Sequence, residues 1–403
     1  MRGYKKMAIV FADTAWVLIS SALVLFMLPG LALFYGGMVR RKNVLSSMMH
    51  SFVVMGIVAV LWVVVGYSLA FSPGNWFVGG LGHIFLAGID YNSTTGTIPT
   101  YAFVAFQGMF AIITPALISG AVVGRIKFKS YIAFITIWSL IVYAPVCHWV
   151  WGGGFLTGEA LDFAGGTVVH ITSGISALAI LVFLGKRKGY GVDVIKPHNV
   201  TLTLIGTGLL WFGWFGFNAG SALAANEIAA LAFITTFVAP AAAGLSWMAA
   251  EWWGTGRPTA LGFATGILAG LVAITPASGF VTPVAAIAIG AIAGFVCYSA
   301  VILKGKLGYD DSLDVFGVHG VGGTTGALLT GVFATVGAAG LLSGNSRQLF
   351  LQFEGAAITM VYAVVCTLAI GFVLDRTLGL KVSVSEENIG LDQTQHGEKG
   401  YNF

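Results

Sequence analysis

Residues 162–174 read DFAGGTVVHITSG and place a histidine inside an otherwise apolar run. The run DSLDVFGVHGVGG, residues 311–323, aligns with it in one register, so that Asp162 falls on Asp311 and His170 on His319. An ionisable side chain in a membrane helix is costly and usually faces a pathway or a partner. Two neutral core histidines are the alternative, but their repetition predicts a site near the membrane midplane, between two pseudo-symmetric halves.

The composition is that of a polytopic membrane protein. Of 403 residues, 57% are hydrophobic and 9% charged, whereas soluble domains carry roughly 25% charged residues. The 56 glycines fit close helix packing. Cys147, Cys297 and Cys366 lie in apolar runs without short spacings, which argues against a disulfide framework or a zinc site. We therefore expect no metal and no cofactor, and we attribute the net charge of +4 to topology rather than to a nucleic-acid partner.

Eleven segments are apolar and long enough to approach the roughly 20 residues that a membrane helix needs. They cover residues 14–38, 45–71, 101–124, 130–150, 166–185, 199–223, 227–250, 258–275, 282–303, 315–337 and 348–375. The predicted fold class is thus an all-α polytopic membrane protein with two inverted five-helix repeats plus one extra helix. Prolines inside the spans predict kinks around a central path, at Pro29, Pro115, Pro145 and Pro240.

Basic residues predict the orientation. One set of loops holds sixteen of the 20 lysines and arginines, and the opposite set holds only Arg2, Lys5, Lys6 and Arg347. Basic loops face the cytoplasm, so the N-terminus is expected outside and the C-terminus inside. The N-terminal leader, residues 1–13, is too short in its apolar part for a signal peptide. It is the one basic segment that this orientation places outside.

Aromatic residues gather near the predicted outer ends of three helices. Phe106 and Phe110 are four residues apart and share a helix face. Trp151 ends the fourth helix, and Phe217 and Ser221 end the sixth. Aromatic faces attract cations and a hydroxyl can accept a hydrogen bond from an ammonium-type donor. An interfacial aromatic belt is the alternative for any single ring, whereas the deeper phenylalanine pair favours a gate.

Six blocks of the chain, in order, resemble the Amt/Mep/Rh family of ammonium transporters, most clearly its bacterial and archaeal Amt branch. They are PGLALFYGGMVRRKN (29–43), AFQGMFAIITPALISGAVVGR (105–125), VWGGG (150–154), LDFAGGTVVH (161–170), WFGWFGFNAGSALAANEIAALAF (211–233) and DVFGVHG (314–320). The resemblance implies uptake of ammonium across the cell (inner) membrane, with ammonium or ammonia as substrate and no enzymatic activity. It also implies a homotrimer with one pore in each subunit.

The resemblance assigns roles residue by residue. Phe110, Trp151 and Ser221 look like the outer recruitment site, with Asp162 matching the acidic residue near it, whose role is thought to be structural. Phe106 and Phe217 are similar to the stacked gate phenylalanines, and His170 and His319 look like the twin pore histidines. The inner pore exit of the family falls on Leu31, Phe34, Tyr35 and Val315.

These residues predict a mechanism. An apolar path below the rings makes passage of a full charge prohibitive, so ammonium is expected to lose its proton near the gate. Two neutral imidazoles can then hand on ammonia or relay a proton. The sequence leaves open whether the proton follows, which gives electrogenic transport, or returns outside, which gives a neutral ammonia channel.

Two rival functions remain open at this point. A membrane metalloenzyme would use His170 and His319 as ligands, but no third ligand stands at metal-like spacing. An ammonium sensor would bind without transport, and such proteins usually carry an appended signalling domain, which the roughly 28 residues after the last predicted helix, 376–403, do not supply.

The C-terminal segment forms a separate expected unit. Residues 1–380 are predicted to be the transport domain within membrane lipid, and residues 381–403 a cytoplasmic regulatory tail. The tail resembles the family's regulatory tail in GLD (390–392), HGE (396–398) and Tyr401, which implies a cytoplasmic PII-type signalling protein as partner. Lys381 and Gly400 depart from the usual arginine and alanine, and so weaken that inference.

Overall fold

The structure is a computed structural model that describes residues 8–401, and helices make up most of this range. Residues 1–7, which hold most of the predicted leader, and residues 402–403 lie outside the described range. The principal helices, in chain order, are α1 (Phe11–Met38), α2 (Arg41–Phe71), α3 (Thr100–Val122), α4 (Phe128–Trp151), α5 (Gly166–Leu184), α6 (Val200–Gly220), α7 (Glu227–Thr255), α8 (Ala260–Ile274), α9 (Pro283–Leu307), α10 (Phe316–Gly320 continued by Val321–Phe333) and α11 (Ser346–Thr377).

The prediction of eleven helices agrees with this architecture. Within residues 8–401, nine helices are long and apolar enough to cross a membrane, while α8 and α10 are shorter. The predicted ends differ from the observed ones by up to five residues, most at α7, which was expected to stop at residue 250 and continues to Thr255. Left-handed glycines, Gly256 and Gly308, terminate α7 and α9. A hydropathy pattern detects only the apolar part of a helix, so it ends too early there.

Wide π-helical turns interrupt α2 and α4 and begin α5 and α10, and the sequence did not indicate them. They span Trp62–Gly66 in α2, Ser139–Tyr143 in α4, Gly166–Ile171 in α5 and Phe316–Gly320 in α10. The helices α1, α3 and α7 continue through Pro29, Pro115 and Pro240, and Pro145 follows the π turn of α4. The turns in α5 and α10 carry His170 and His319, in keeping with the tendency of such turns to occur at functional sites.

The two histidine-bearing helices cross at the centre of the molecule. A Cβ atom on Gly174 of α5 would overlap the backbone of Gly320 in α10, and one on Gly323 of α10 would meet His170. Gly174 and Gly323 are equivalent positions of the repeated sequence, and each allows the opposite half to approach closely. The repeat thus places a close contact with the opposite half in each of the two helices, closer at Gly174 than at Gly323.

Burial decreases from this centre outward. The most apolar windows of α3 and α5 are 89% and 78% buried, whereas those of α2, α9 and α11 are 33% buried. The exposed faces of the outer helices carry large apolar side chains such as Phe237, Phe295 and Val361. Such a distribution suits a lipid-facing surface, because lipid tails are as apolar as these side chains.

A short antiparallel hairpin, β1 (Thr94–Thr95) and β2 (Ile98–Pro99), precedes α3. At the other end of α3, the C-terminal segment packs against the helical bundle through α12 (Val384–Ile389) and α13 (Leu391–His396). The carboxylate of Asp392 accepts a hydrogen bond from Ser46 N at the start of α2 (2.8 Å), and Asn43 accepts one from Leu391 N (2.9 Å).

The C-terminal segment contacts several of the basic loops on one face of the molecule. Lys42 Nζ donates to the carbonyl of Glu387, Lys188 N donates to the Glu387 carboxylate, and Lys127 N donates to the carbonyl of Leu380. These loops belong to the set that the distribution of charge predicts to be cytoplasmic. Their proximity agrees with a common side, which we call the tail face.

Candidate functional site

An aromatic cleft of about 300 Å³ opens near the beginning of α3, away from the tail face. We define this aromatic cleft by its lining residues, Phe71, Phe103, Gln107, Phe110, Val150, Trp151, Phe163, Ser221 and Leu223. Three of the four predicted recruitment residues therefore come together, Phe110 from the middle of α3, Trp151 from the end of α4 and Ser221 from the end of α6.

Tilted and edge-to-face aromatic rings close the bottom of the aromatic cleft. The ring centroid of Phe110 lies 4.3 Å from that of Phe217, 5.0 Å from that of Phe106 and 5.8 Å from that of Trp151. All three phenylalanines are at most 1% exposed. Phe110 faces the cleft and Phe217 faces the lumen below it, whereas Phe106 packs behind Phe110 and lines neither.

The polar groups of the aromatic cleft are already partly committed. Trp151 Nε1 donates to the backbone carbonyl of Asp162 (2.9 Å), so that the indole presents a face rather than a donor. The Ser221 hydroxyl lies immediately after α6 and donates to the carbonyl of Phe217 (2.8 Å). Its oxygen lone pairs remain as acceptors.

The Asp162 carboxylate caps α5 and does not line the aromatic cleft. Its two oxygens accept hydrogen bonds from four consecutive backbone amides, those of residues 165–168, at 2.6–3.0 Å. Gly165 supports the turn with a φ of 113° that other residues rarely adopt. Asp162 thus fixes the beginning of the histidine-bearing helix and, through its carbonyl, the position of Trp151.

The two histidines meet below the rings. His170 Nδ1 and His319 Nδ1 are 3.2 Å apart, and the imidazole rings lie 5.2 Å apart at 24°. One nitrogen of this pair has to donate and the other accept, so the tautomers of the two rings are linked. His170 is also stacked against Trp214 at 5.4 Å, and Trp214 Nε1 donates to Thr275 Oγ1 (2.9 Å).

A narrow apolar lumen runs past the histidines. Its volume is about 10 Å³, which is close to the smallest cavity that holds one water molecule. Its lining residues are Met27, Leu31, Tyr35, Ile113, Leu117, Val169, His170, Leu210, Trp214, Phe217, Leu268 and His319. The Tyr35 hydroxyl donates to the carbonyl of Leu117 (3.1 Å), which leaves the imidazoles as the principal polar groups.

The predicted inner exit is only partly on this lumen. Leu31 and Tyr35 line it, whereas Phe34 and Val315 do not. Val315 lies beside the Tyr35 ring, where both side chains pack against Gly120. Phe34 is 3% exposed and its ring lies 5.8 Å from that of Tyr35.

A second, charged cleft of about 310 Å³ lies on the tail-face side. Among its lining residues are Arg187, Asp193, Lys304, Ser312 and Asp314. Close by, buried Asp310 forms ion pairs with Arg125 (2.9 Å) and Arg187 (2.6 Å). Burial raises the pKa of Asp310, but these two guanidinium groups more than offset it and hold the pKa below its ordinary value.

Sequence reasoning missed several of these residues. Trp214 and Thr275 are far apart in the chain, so no local spacing links them to His170. Gln107 could have been found, because it lies four residues after Phe103 and three before Phe110 on the face that lines the aromatic cleft. In residues 8–401, no three His, Cys, Asp or Glu side chains gather as metal ligands would, so the metalloenzyme alternative gains no support.

Comparisons with known proteins identify the family of the chain. The chain matches the Ammonium Transporter Family over residues 15–401. It is 52% identical to an ammonium transporter of Aquifex aeolicus over 97% of this chain and 93% of that protein. It is 49% identical to an ammonium transporter of Bacillus subtilis, over 96% of this chain and 98% of that one.

Solved structures share the fold. The crystal structure of Saccharomyces cerevisiae Mep2 superposes with a TM-score of 0.89 at 36% identity, over 94% of this chain and 89% of that one. A structure described as Sensor Amt Protein superposes with a TM-score of 0.90 at 31% identity, over 96% of this chain and 98% of that one. The chain belongs to the Ammonium Transporter Family, as a multi-pass membrane protein that transports ammonium.

Proposed function

We propose that ammonium is recruited in the aromatic cleft, loses a proton near Phe110 and Phe217, and passes as ammonia along the lumen past His170 and His319. The observation that carries this proposal is the hydrogen-bonded imidazole pair, with a nitrogen-to-nitrogen distance of 3.2 Å, in a lumen that is otherwise apolar. Leu31 and Tyr35 then form the inner exit, with Phe34 and Val315 packed behind them.

Recruitment depends on π faces and hydrogen-bond acceptors. The rings of Phe110 and Trp151, 5.8 Å apart, can hold a cation by about 0.5–2 kcal/mol each. The Ser221 oxygen accepts a hydrogen bond from an N–H donor, which ammonium has and bare K⁺ lacks. Asp162 contributes by fixing Trp151 and the start of α5 rather than by contact with the substrate.

The closely packed rings of Phe110 and Phe217 make deprotonation the favourable route. Phe110 and Phe217 leave no open passage for a hydrated ion, because their ring centroids are 4.3 Å apart. Transfer of an unpaired charge into an apolar medium is far more costly than transfer of a neutral molecule, and desolvation favours the neutral form of an ammonium group. The gate therefore selects ammonia as the species that enters the lumen.

The histidine pair provides hydrogen bonds along the lumen. Passage of the released proton along the two rings would make transport electrogenic, and its return to the outer side would make the protein a neutral ammonia channel. Simultaneous measurement of current and internal pH in proteoliposomes separates the two, because only the first carries net charge with each ammonia.

The experiment that tests the pore is the His170→Leu/His319→Leu double variant. Leucine leaves no unsatisfied polar group of its own, so fold and expression should persist while ammonium flux falls by roughly a hundredfold, the scale of lost acid–base assistance. Wild-type flux in a well-folded double variant would contradict the proposal. Ammonium binding by the wild-type protein without flux or current would instead indicate a sensor.

We further propose that the N-terminus lies outside and the tail face is cytoplasmic. Arg41 follows the first helix and is exposed, and Asn92 is exposed in the loop before α3. Single cysteines at these two positions should label only from the cytoplasm and only from outside, respectively. The reverse pattern would refute the inverted arrangement of the halves.

We also propose a homotrimer in membrane lipid, with residues 381–403 as a regulatory tail that responds to a PII-type protein. The tail contacts support regulation, because Asp392 satisfies a backbone amide at the start of α2. Truncation after Leu380 should leave the trimer intact on native mass spectrometry and reduce transport several-fold. A truncated protein that is monomeric would place the tail within the assembly interface instead.

A further inference from the structure

Gln107 lines the aromatic cleft, and its side-chain oxygen accepts no hydrogen bond from residues 8–401. Gln107 shares one face of α3 with Phe103 and Phe110, and all three line the cleft. Gln107 is 8% exposed, and its Oε1 atom is sealed from solvent with no hydrogen-bond partner among residues 8–401.

Such an arrangement is unfavourable unless a ligand completes it. A buried carbonyl oxygen without a hydrogen bond loses its hydration and gains nothing in return. A half-turn about the bond to the terminal carbon exchanges the oxygen and the NH₂ group, which turns the acceptor towards the cleft and the NH₂ group to the position that the oxygen leaves. Exceptions of this kind in a native fold call for an explanation, and a hydrogen-bond donor in the adjacent cleft supplies one.

The other polar groups around the cleft have fewer acceptors to offer. The Asp162 carboxylate is occupied by four backbone amides, and the Trp151 N–H is a donor that already binds a carbonyl. Among the lining side chains, only Ser221 and Gln107 carry an acceptor oxygen. Ammonium has four N–H donors, and two rings with two oxygens match that number.

We propose that Gln107 is a specificity-determining residue whose side-chain oxygen accepts a hydrogen bond from ammonium in the aromatic cleft. The inference rests on the proposed role of that cleft in recruitment. Methylammonium has only three N–H donors, so its methyl group has to face one of the four partners. Gln107 thereby favours ammonium over its methylated analogue.

The test is Gln107→Leu in reconstituted protein, with ammonium and methylammonium as the substrates. Loss of one charge-assisted hydrogen bond should raise the KM for ammonium roughly tenfold. The maximal rate should change little, because the gate and the histidines are untouched. The KM for methylammonium should rise less, since its methyl group can then face the leucine, and the selectivity between the two substrates should decrease.

The thermal midpoint of unfolding separates a binding role of Gln107 from a structural one, because the two roles predict different shifts. Removal of an unpartnered buried amide should leave the thermal midpoint unchanged or raise it, whereas removal of a structural hydrogen bond would lower it. Thr359→Val is the matched control, because Thr359 on α11 also has a buried oxygen without a hydrogen-bond partner and lies outside the cleft. Gln107→Met repeats the test with a side chain of similar length.

The outcomes separate this inference from the proposal beneath it. A KM that rises in Trp151→Leu but is unchanged in Gln107→Leu overturns the role of Gln107 and keeps the cleft as the recruitment site. An unchanged KM in both variants overturns both. A Gln107→Leu protein that is unstable or misassembled also overturns the inference, because it shows a structural role.

Discussion

Each half of the molecule has an aspartate before its histidine-bearing helix, but the two aspartates cap their helices with different numbers of hydrogen bonds. Asp162 and Asp311 each precede a histidine by eight positions. Asp162 places both oxygens on four backbone amides, whereas Asp311 accepts from Phe316 N through Oδ2 (2.7 Å) and leaves Oδ1 buried without a hydrogen-bond partner. One cap is complete and the other is not.

The surroundings of the two caps differ in the same sense. Asp162 lies beside aromatic residues and holds Trp151 through its carbonyl. Asp311 lies beside Lys304, whose Nζ donates to the Asp311 carbonyl (2.9 Å), and near the negative charge of Asp314. The repeated motif thus lies in two different environments, an aromatic one at Asp162 and a charged one at Asp311.

The histidines themselves follow this asymmetry. His170 is 1% exposed and stacks with Trp214 and Phe217, at 5.4 and 6.2 Å. His319 is 5% exposed and stacks with His170. A substitution at the two equivalent positions is therefore expected to have unequal consequences.

The largest expected effect is from a carboxylate at either histidine. His319→Glu should fold and lose discrimination against K⁺ by about tenfold or more, because a fixed negative charge in the lumen favours a cation. His170→Glu should also admit K⁺ but yield less folded protein, since an unpaired charge among aromatic rings costs roughly 3–5 kcal/mol. Potassium flux and the yield of monodisperse protein measure the two effects. Equal yields would remove the asymmetry that the ring contacts predict.

The next effect concerns the two caps. Asp162→Ala removes the acceptors of four buried amides, and each lost bond costs about 1 kcal/mol or more. The free energy of unfolding should therefore fall by about 3–5 kcal/mol, whereas Asp311→Ala should cost about 1 kcal/mol or less. Thermal unfolding in detergent gives the comparison. A larger loss at Asp311 would mean that the incomplete cap is the more important one.

The equivalent glycines offer a smaller test of the same asymmetry. A Cβ on Gly174 would overlap backbone atoms of Gly320, which cannot move aside without shifting α10. A Cβ on Gly323 would lie 2.9 Å from His170 Cβ and 3.0 Å from Gly166 O, a milder conflict. Gly174→Ala should cost about 2–3 kcal/mol and Gly323→Ala about 1 kcal/mol, within the range known for overpacking. Equal midpoints of thermal unfolding would contradict this order.

The sequence was sufficient for those features that depend on local pattern. Long apolar runs predicted the helices, because the membrane requires about 20 such residues in a row. The spacing of Phe106 and Phe110 predicted a shared face, and their rings lie 5.0 Å apart. The repeated histidines were expected between two halves, and α5 and α10 do cross there.

Features that depend on distant residues could not be predicted in this way. The stack of His170 on Trp214, supported by Thr275, joins three separate helices. The ion pairs of Asp310 with Arg125 and Arg187 join three loops, and no spacing in the chain indicates them. The family resemblance placed Asp162 near the recruitment residues with a structural role, and its carboxylate accepts hydrogen bonds from the backbone amides that follow it.

The smallest expected effect is a dependence of the free energy of unfolding on pH, caused by Asp311. Burial and the charge of Asp314 raise the pKa of Asp311 to about 6, despite the partial compensation from Lys304 and backbone amides. Between roughly pH 4 and 6 the folded protein then binds more protons at Asp311 than the unfolded chain does. The free energy of unfolding therefore decreases as pH rises through this window and stays lower above it.

Asp311→Asn removes this penalty and should stabilise the protein at pH 7.5, by at most about 3 kcal/mol, and have little effect at pH 4. Its sequence neighbour Asp310 is the matched control of opposite sign. Because its pKa is held below the ordinary value, its ion pairs stabilise the fold above that value and are lost only as pH falls further. Asp310→Asn should therefore destabilise the protein throughout pH 4–7.5. Thermal unfolding of the two variants at both pH values is the measurement. If both variants shifted the midpoint in the same direction at pH 7.5, Asp311 and Asp310 could not be one unfavourable and one favourable carboxylate.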